Sequence, residues 1–381
     1  MSLMVSVSGV RGIVGADLDP PVILHWVTAF GAVLRPGPVV VGRDSRVTGE
    51  ALSGVAVSCL RAMGREVWDL GIVLTPTVQM AVEHWGASGG LILSASHNPG
   101  EWNALKFVDG DGSFLLPHRF EELRARHESG PAGYARWDAY GPVRERRAEA
   151  LEMHCAAILE AVDHDAIRRR GLKVSLDTGH GAAGALLPLL AERLGVSLDG
   201  RNLETNGRFA PNPEPNAETL PPFLDTVKAD VAFAAMIDPD GDRLAIGIPG
   251  TAIASEEWTL PLVAAARLAG SPAGQVLITN LSTSSRLESV AARHDAEVLR
   301  TPVGEAHVVG AMRQHRAALG GEGNGGVIDP QVHLGRDAAV AFARLCEVEA
   351  TVPGGLKETA AAFPPRVMRK EKFELGAAGE P

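Results

Sequence analysis

The chain has few cysteines and tyrosines and no long apolar run. Its 381 residues include three cysteines and two tyrosines. Cys59, Cys155 and Cys346 are far apart and lack metal-binding spacing, which is typical of small buried side chains in a reducing compartment. No stretch approaches the roughly 20 apolar residues of a membrane helix, and the opening MSLMVSVSGVRG does not resemble a secretory signal. We therefore expect a cytoplasmic protein without a membrane partner.

Excess positive charge is also missing. The formal net charge is −10, and no run of five or more basic residues occurs, so the sequence argues against nucleic acid as a partner. The same charge would repel an anionic substrate. A phosphate site would therefore need concentrated local positive charge or a metal ion.

What the sequence does contain is a pattern that occurs three times: a short β-branched strand, a loop of small polar residues, and a helical segment. Strands that alternate with such helices favour parallel α/β units over a β-sandwich. We predict three consecutive α/β domains. The predicted strands and helices are 39–42 with 51–63, 174–177 with 183–194, and 276–279 with 285–294.

Composition suggests where these domains meet. Residues 128–142 are rich in Gly, Pro and polar side chains, and a second break falls near 248–250. The last twenty or so residues show too little apolar periodicity for a domain. We predict domains at 1–141, 142–249 and 250–360, followed by a linker at 361–381.

The hexapeptide SASHNP, residues 94–99, follows the apolar strand Gly89–Leu93. One interpretation is a strand closed by an Asx-type turn, with Ser96 as a solvated hydroxyl. The other is a nucleophile at the carboxyl end of a parallel strand, where open α/β sheets place their sites. Shortly afterwards comes Lys106, one of only six lysines. A desolvated lysine can carry a proton at neutral pH, whereas arginine cannot, although a lysine on a strand edge is the plain alternative.

The stretch DPDGDR places Asp238, Asp240 and Asp242 on a turn after an apolar strand. Three close carboxylates repel one another unless a cation lies among them, and oxygen ligands favour Mg²⁺. A calcium EF-hand does not fit, because its sixth and twelfth positions would be Arg243 and Pro249. We predict one Mg²⁺ per chain, with a solvated acidic turn as the alternative.

Several cations and one glycine-rich loop complete the set of candidates. Arg243 follows the acidic run, and Arg11, Arg43 and Arg46 lie in similar loops. Each alone is typical of a structural arginine, but together with a metal they could hold an anion. In GGEGNGGVI, residues 320–328, Glu322 and Asn324 could bind adjacent sugar hydroxyls, unless this is simply a flexible loop. His307, in TPVGEAHVV, fits a packed helix residue better than an acid–base group.

SASHNP, DPDGDR and GGEGNGG, in this order and at these separations, resemble the α-D-phosphohexomutase family. SGVRG near the start, VVVGRDSR and NALK agree with it, and the resemblance runs from about residue 8 to about residue 339. It implies an α/β fold of three domains with mixed, mainly parallel sheets around a central cleft. It also implies a mutase that acts on mannose or glucose phosphates, with glucosamine phosphate as the alternative substrate.

The resemblance also implies roles for individual residues. Ser96 would carry a phosphoryl group and join Asp238, Asp240 and Asp242 in binding Mg²⁺. We further expect catalytic roles for Lys106, Arg11, Arg243 and His97, and substrate-binding roles for Glu322, Asn324, Gly304 and Arg43. A hydrolase triad at His97 is not expected, since sequence neighbours rarely present their side chains to each other.

The implied reaction is a double phosphoryl transfer. Phosphoserine gives its phosphoryl group to a hexose monophosphate, which forms a bound 1,6-bisphosphate. The sugar then reorients in the cleft, and the other phosphate returns to the serine. A hexose 1,6-bisphosphate would then act as activator, and a homo-oligomer is possible. Two departures from the family stand out. Asn324 and Gly326 replace the Ser and His of many members, and no Arg-x-Ser-Gly-Thr-Glu-Pro loop of a fourth domain is present.

The missing loop motif leads to a specific expectation and keeps two alternatives open. A chain without the fourth domain would retain the bisphosphate poorly during its reorientation. The alternatives are a non-catalytic or truncated sugar-phosphate-binding form, and a hydrolase whose open cleft admits water.

Overall fold

The computed structural model describes residues 3–130, 132–364, 366 and 368. The predicted linker at 361–381 therefore falls mostly outside the described residues. Three sheets follow one another along the chain, and each is flanked by helices.

The first unit is a seven-stranded sheet with the strand order β1-β2-β6-β5-β3-β4-β7. Strands β3, β4, β5 and β7 run parallel, whereas β6, β2 and β1 complete the sheet in antiparallel pairs. Its strands are β1 (Met4–Ser6), β2 (Gly9–Ile13), β3 (Val39–Arg43), β4 (Val67–Ile72), β5 (Gly89–Leu93), β6 (Trp102–Asp109) and β7 (Val143–Glu145). Its helices are α1 (Pro20–Val33), α2 (Gly49–Ala62), α3 (Thr75–His84), α4 (Pro117–Glu128) and α5 (Arg147–Ala161).

The second unit is a five-stranded sheet with the order β12-β11-β10-β8-β9. Its strands are β8 (Lys173–Asp177), β9 (Ser197–Arg201), β10 (Phe233–Ile237), β11 (Leu244–Gly247) and β12 (Ala254–Ser255). Its helices are α6 (His164–Arg170), the 3₁₀ turn Ala182–Ala185, α7 (Leu187–Leu194) and α8 (Leu220–Leu224).

The third unit is a four-stranded sheet with the order β14-β13-β15-β16. Its strands are β13 (Val276–Asn280), β14 (Glu297–Thr301), β15 (Leu319–Glu322) and β16 (Gly326–Ile328). Its helices are the 3₁₀ turn Glu256–Trp258, α9 (Thr259–Leu268), α10 (Arg286–Arg293), α11 (Glu305–His315), α12 (Ala338–Thr351) and α13 (Gly355–Ala361).

The prediction of three consecutive α/β units with mixed sheets is confirmed. The exact division of the chain is less simple, because β7 pairs with β4 of the first sheet and β12 pairs with β11 of the second. The first sheet therefore ends at residue 145 and the second at residue 255, whereas the predicted domains end at 141 and 249.

Each sheet contains the same local arrangement. One strand runs parallel to an earlier neighbour and then turns back through a short loop into an antiparallel strand. These hairpins are β5–β6, β10–β11 and β15–β16. SASHNP, DPDGDR and the glycine-rich loop are the three connecting loops, so the motifs occupy equivalent positions in the three units.

Apolar packing joins the units. Trp26, Phe30 and Phe107 centre a core of the first unit, where the rings of Phe30 and Phe107 lie 5.0 Å apart. The second and third units share one continuous core, in which the ring centres of Phe233 and Phe342 lie 6.1 Å apart. Leu74 of the first unit also belongs to this second core, so apolar packing links all three units.

Candidate active site

The three hairpin loops surround one cavity of about 250 Å³. Eight residues predicted from the sequence line its wall, and they come from all three units. They are Arg11, Ser96, His97, Lys106, Arg243, Gly304, Glu322 and Asn324. The three aspartates lie behind this wall and are almost fully buried.

Ser96 occupies a strained conformation at the centre of the site. Its φ is +51°, in the left-handed region that non-glycine residues seldom adopt. The hydroxyl is buried and donates to Asp238 Oδ2 at 3.0 Å. The interpretation of Ser96 as a solvated turn hydroxyl is therefore wrong, and the strain is of the kind that collects at functional sites.

Arg46 holds the Ser96 loop in place. Its guanidinium donates to the carbonyl oxygens of Ser96 at 2.6 Å, Asn98 at 2.7 Å, Pro99 at 2.6 Å and Trp102 at 3.0 Å. The remaining N–H, on Nε, bonds Asp44 Oδ2 at 3.0 Å. All five N–H groups are occupied, so Arg46 supports the loop and is not available to an anion.

Arg43 does not reach the cleft. The side chain is half-buried and its Nη1 makes a long bond of 3.4 Å to Asp44 O. It is absent from the cavity wall formed by the described residues. The geometry therefore does not support the predicted substrate-binding role of Arg43.

The aspartate triad is built to hold a cation. Oxygen atoms of Asp238, Asp240 and Asp242 lie within 4.8 Å of one another. Asp240 Oδ1 and Asp242 Oδ1 are buried and accept no hydrogen bond from the described residues. Buried carboxylate oxygens that lack a hydrogen-bond donor are costly. Oxygen ligands of this kind are those that Mg²⁺ prefers, and the residues present therefore fit this metal.

The protonation of the triad is uneven. Burial, followed by the neighbouring charges of Asp242 and Asp240, raises the pKa of Asp238 well above its usual range. Burial also acts to raise the pKa of Asp240, but Lys106 and a hydrogen bond from Thr75 outweigh it and hold this pKa below the usual range. Asp240 therefore stays ionised more readily than Asp238.

Lys106 reaches the triad from β6. Its Nζ lies 2.6 Å from Asp240 Oδ2, where Thr75 Oγ1 also donates at 2.6 Å. The same ammonium lies 5.8 Å from the centre of the Phe114 ring. Lys106 is thus buried against both a carboxylate and an aromatic ring at the cavity wall, rather than exposed on a strand edge.

Positively charged side chains line the same cavity as Ser96. Burial, and then the charge of Arg243, lower the pKa of Arg11. Arg243 Nη1 pairs with Glu214 Oε1 at 3.2 Å. Burial and the same arginine lower the pKa of His97 to about 3, so its imidazole is neutral near pH 7. The site thus combines permanent guanidinium charges with a neutral histidine.

The glycine-rich loop faces this cluster across the cavity. Glu322 is buried and accepts from Asn280 Nδ2 at 2.6 Å, Gly304 N at 3.2 Å and Asn324 Nδ2 at 3.2 Å. Gly304 has a φ of +123°, a conformation that glycine permits. The loop is therefore tied to its neighbours, and the interpretation as a simple flexible loop is wrong.

Three residues of the site were not anticipated from the sequence. Thr75 and Glu214 bond site residues but lie in unremarkable stretches of sequence. Arg336, in the loop before α12, lies on the cavity wall and ion-pairs with the buried Asp242. An isolated arginine in a sequence gives no signal of such a role. His307 was expected to be a packed helix residue, but it is exposed and lies on the cavity wall.

Comparison with known proteins agrees with this geometry. Sequence models described as phosphoglucomutase/phosphomannomutase, alpha/beta/alpha domains I, II and III, match residues 3–132, 152–250 and 257–367. The chain belongs to the phosphoglucomutase/phosphomannomutase family. It is a phosphohexomutase, and therefore an intramolecular phosphotransferase.

Curated members of the family are similar over most of the chain. A phosphoglucomutase/phosphomannomutase of Thermococcus kodakarensis is 38% identical over 347 residues, which cover 89% of this chain and 75% of that protein. A probable phosphoglucosamine mutase of Methanopyrus kandleri is 33% identical and covers 96% of this chain and 80% of that protein.

Solved structures share the fold. A putative phosphomannomutase of Thermus thermophilus aligns with a TM-score of 0.84 and 26% identity, over 94% of this chain and 84% of that one. The N-acetylphosphoglucosamine mutase of Aspergillus fumigatus, described in complex with GlcNAc-6P and magnesium, aligns with a TM-score of 0.58 and 14% identity, over 94% of this chain and 79% of that one.

Among the described residues, no helix is both long and apolar enough to span a membrane.

Proposed function

We propose that this phosphohexomutase interconverts the 1-phosphate and 6-phosphate of mannose or glucose through a phosphoryl group carried on Ser96 Oγ. One observation carries the proposal. The buried Ser96 hydroxyl lies 3.0 Å from Asp238 Oδ2, at one wall of the cavity that also presents Glu322 and Asn324. A single cleft therefore joins a candidate phosphoryl carrier to groups that can bind sugar hydroxyls.

The residues of the cleft have different roles in the proposed reaction. In the first transfer, the O–P bond of phosphoserine breaks as the free sugar hydroxyl forms its own bond to phosphorus. Lys106 Nζ, on the cavity wall, would relay the proton of that hydroxyl to Ser96 Oγ as the phosphoryl group leaves it. Arg11 and Arg243 supply positive charge next to the moving group. The 1,6-bisphosphate then turns in the cleft and returns its other phosphate to Ser96 Oγ.

The triad and the Ser96 phosphate would together hold one Mg²⁺, which would neutralise charge on the transferred phosphoryl group. The neutral His97 stands beside the carrier serine without adding charge. A hexose 1,6-bisphosphate would activate the enzyme by phosphorylating Ser96. Glucosamine phosphate is a second candidate substrate, because several relatives with 30% identity or more are described as probable phosphoglucosamine mutases.

A coupled mutase assay tests the proposal. Glucose, mannose and glucosamine 1-phosphates are supplied with Mg²⁺ and a trace of hexose 1,6-bisphosphate, and free phosphate is measured in parallel. We expect turnover without phosphate release, together with phosphoserine at residue 96 by mass spectrometry. In Ser96→Ala, turnover should be lost. Phosphate release in place of isomerisation would identify a hydrolase, and turnover that survives in Ser96→Ala would exclude the serine as carrier.

A further inference from the structure

Arg336 connects the metal-binding loop to the glycine-rich loop. It lies between β16 and α12, and its guanidinium is buried. It donates to Asp242 Oδ2 at 2.6 Å, to Glu305 Oε2 at 3.0 Å and to Glu322 Oε2. These carboxylates come from three separate segments of the chain, so one planar group fixes their relative positions.

Without this cation the same region would hold three buried carboxylates. Burial raises the pKa of Glu305, even though Arg336 acts against it. Burial also acts to raise the pKa of Glu322, but Arg336 and its neighbours outweigh burial and the pKa falls below its usual value. Arg336 therefore keeps Glu322 ionised, and an ionised carboxylate accepts hydrogen bonds from hydroxyl groups.

Space for Arg336 depends on Gly326. A Cβ placed on Gly326 would lie 2.4 Å from Arg336 Cδ and 2.9 Å from its Cγ. The arginine has little freedom to move aside, because three carboxylates hold its far end. A side chain at 326 and an arginine stem in this position therefore exclude each other.

We propose, building on the proposed function, that Arg336 is a positioning residue that sets the sugar-reading Glu322 and the metal-binding Asp242 in one fixed relation, and that Gly326 is the position that permits it. Binding of the hexose phosphate and binding of Mg²⁺ then both depend on the same guanidinium. Outer partners of metal ligands commonly change metal affinity 10- to 100-fold when they are removed.

Two variants disrupt the contacts of Arg336, one by changing Arg336 itself and the other by changing its neighbour Gly326. Arg336→Lys keeps a positive charge, but its single ammonium cannot span three carboxylates. Gly326→Ala leaves the arginine in the sequence and displaces its stem. The φ of Gly326 is not positive, so the backbone there accepts alanine. Arg344→Lys is the matched control, because Arg344 is also buried and bonded to Asp329 and Glu347 but lies outside the cleft wall.

Binding is measured by calorimetry on the full chain, with Mg²⁺ alone and with glucose 1-phosphate in a Ser96→Ala background. We expect Arg336→Lys and Gly326→Ala each to weaken both affinities by about tenfold. The double variant should be no weaker than the single ones, since both changes remove one interaction. Arg344→Lys should leave both affinities within about twofold, whatever it costs in stability.

Unchanged affinities in Gly326→Ala, or losses that add in the double variant, would overturn the proposal. If Arg336→Lys does not fold, Gly326→Ala still decides the question. If the Ser96→Ala chain binds no glucose, mannose or glucosamine 1-phosphate, the proposed function fails instead. The Mg²⁺ measurements then still show whether Arg336 positions Asp242.

Discussion

At the scale of single residues, the Ser96 loop depends on the geometry of one arginine. Four carbonyl groups of this loop and its continuation point at the Arg46 guanidinium, and Asp44 takes its last N–H. Buried carbonyls left without donors are costly. The strained φ of Ser96 is held by this network and by the bond from Ser96 N to Ser94 Oγ at 2.9 Å.

Arg46→Lys should destabilise the protein and abolish most of its activity. A lysine has three donors on a point charge and cannot replace five donors in a planar fork. We expect a loss of about 3 kcal/mol in the free energy of unfolding, measured by chemical denaturation, since at least two buried acceptors lose their donors. Mutase turnover should fall at least tenfold because the Ser96 loop relaxes.

Arg43→Lys is the matched control for this variant. Arg43 makes one long bond outside the cleft, so stability should change by less than about 0.5 kcal/mol and turnover by less than about twofold. A tenfold loss of turnover in Arg43→Lys would restore the substrate-binding role predicted from the sequence. Substrate binding was predicted for Arg43 and no specific role for Arg46, because a sequence does not show which way each side chain points from a loop.

At the scale of elements, the site is made by three equivalent hairpins. The strand and helix of each unit were predicted correctly from β-branched runs and helical periodicity, as for β13 and α10. The antiparallel direction of the return strand after each motif was not predicted. Strands β6 and β11 are buried along most or all of their length. Burial on both faces is more typical of parallel strands, so this pattern does not reveal their antiparallel pairing.

Gly241 shows how closely one of these hairpins is packed. Its φ is +73°, and a Cβ there would lie 2.6 Å from Leu74 Cγ. The adjacent Thr75 bonds Asp240 through both its backbone N–H, at 2.9 Å, and its hydroxyl. Displacement of the turn would therefore move a metal-binding carboxylate as well as an apolar contact.

Gly241→Ala should weaken Mg²⁺ binding by about tenfold, as outer-contact changes at metal sites do. Gly250→Ala is the control, because Gly250 has nearly the same φ, +72°, and no atom near its would-be Cβ. In both variants the free energy of unfolding should fall by about 1 kcal/mol because of backbone strain. Only Gly241→Ala should change the Mg²⁺ dissociation constant measured by calorimetry. Equal Mg²⁺ affinities in the two variants would show that the Leu74 contact does not position the triad.

At the scale of the whole molecule, a buried polar cluster ties the first unit to the third. His154 Nε2 lies 2.6 Å from Asp337 Oδ2, and its Nδ1 lies 2.8 Å from Thr77 Oγ1. His333 Nε2 contacts the same aspartate oxygen at 3.1 Å. Thr77 belongs to α3, His154 to α5, and the other two to the third unit. No spacing in the sequence relates these residues, since they meet only when the units pack.

The charge of Asp337 gives this cluster a defined pH dependence. Burial acts to raise the pKa of Asp337, but His154 and His333 outweigh it and hold the folded-state pKa well below its usual value. A carboxyl group whose pKa is lower in the folded state adds stability at pH values above its unfolded pKa, which is about 3.9. That contribution shrinks as the pH falls below about 4 toward the lower folded-state pKa, because the unfolded chain then binds the proton more readily.

Asp337→Asn separates this charge from the other role of the residue. Asp337 also caps α12, accepting from Ala339 N at 2.8 Å, and asparagine caps helices nearly as well. At pH 7 the variant should be less stable by about 2 kcal/mol, because a hydrogen-bonded charge is lost. Urea denaturation at about pH 7, 5 and 3.5 should show that the difference in the free energy of unfolding between the two proteins becomes smaller only below about pH 4. If the difference in the free energy of unfolding between the two proteins stays constant down to the lowest of these pH values, the Asp337 charge does not contribute to joining the first and third units.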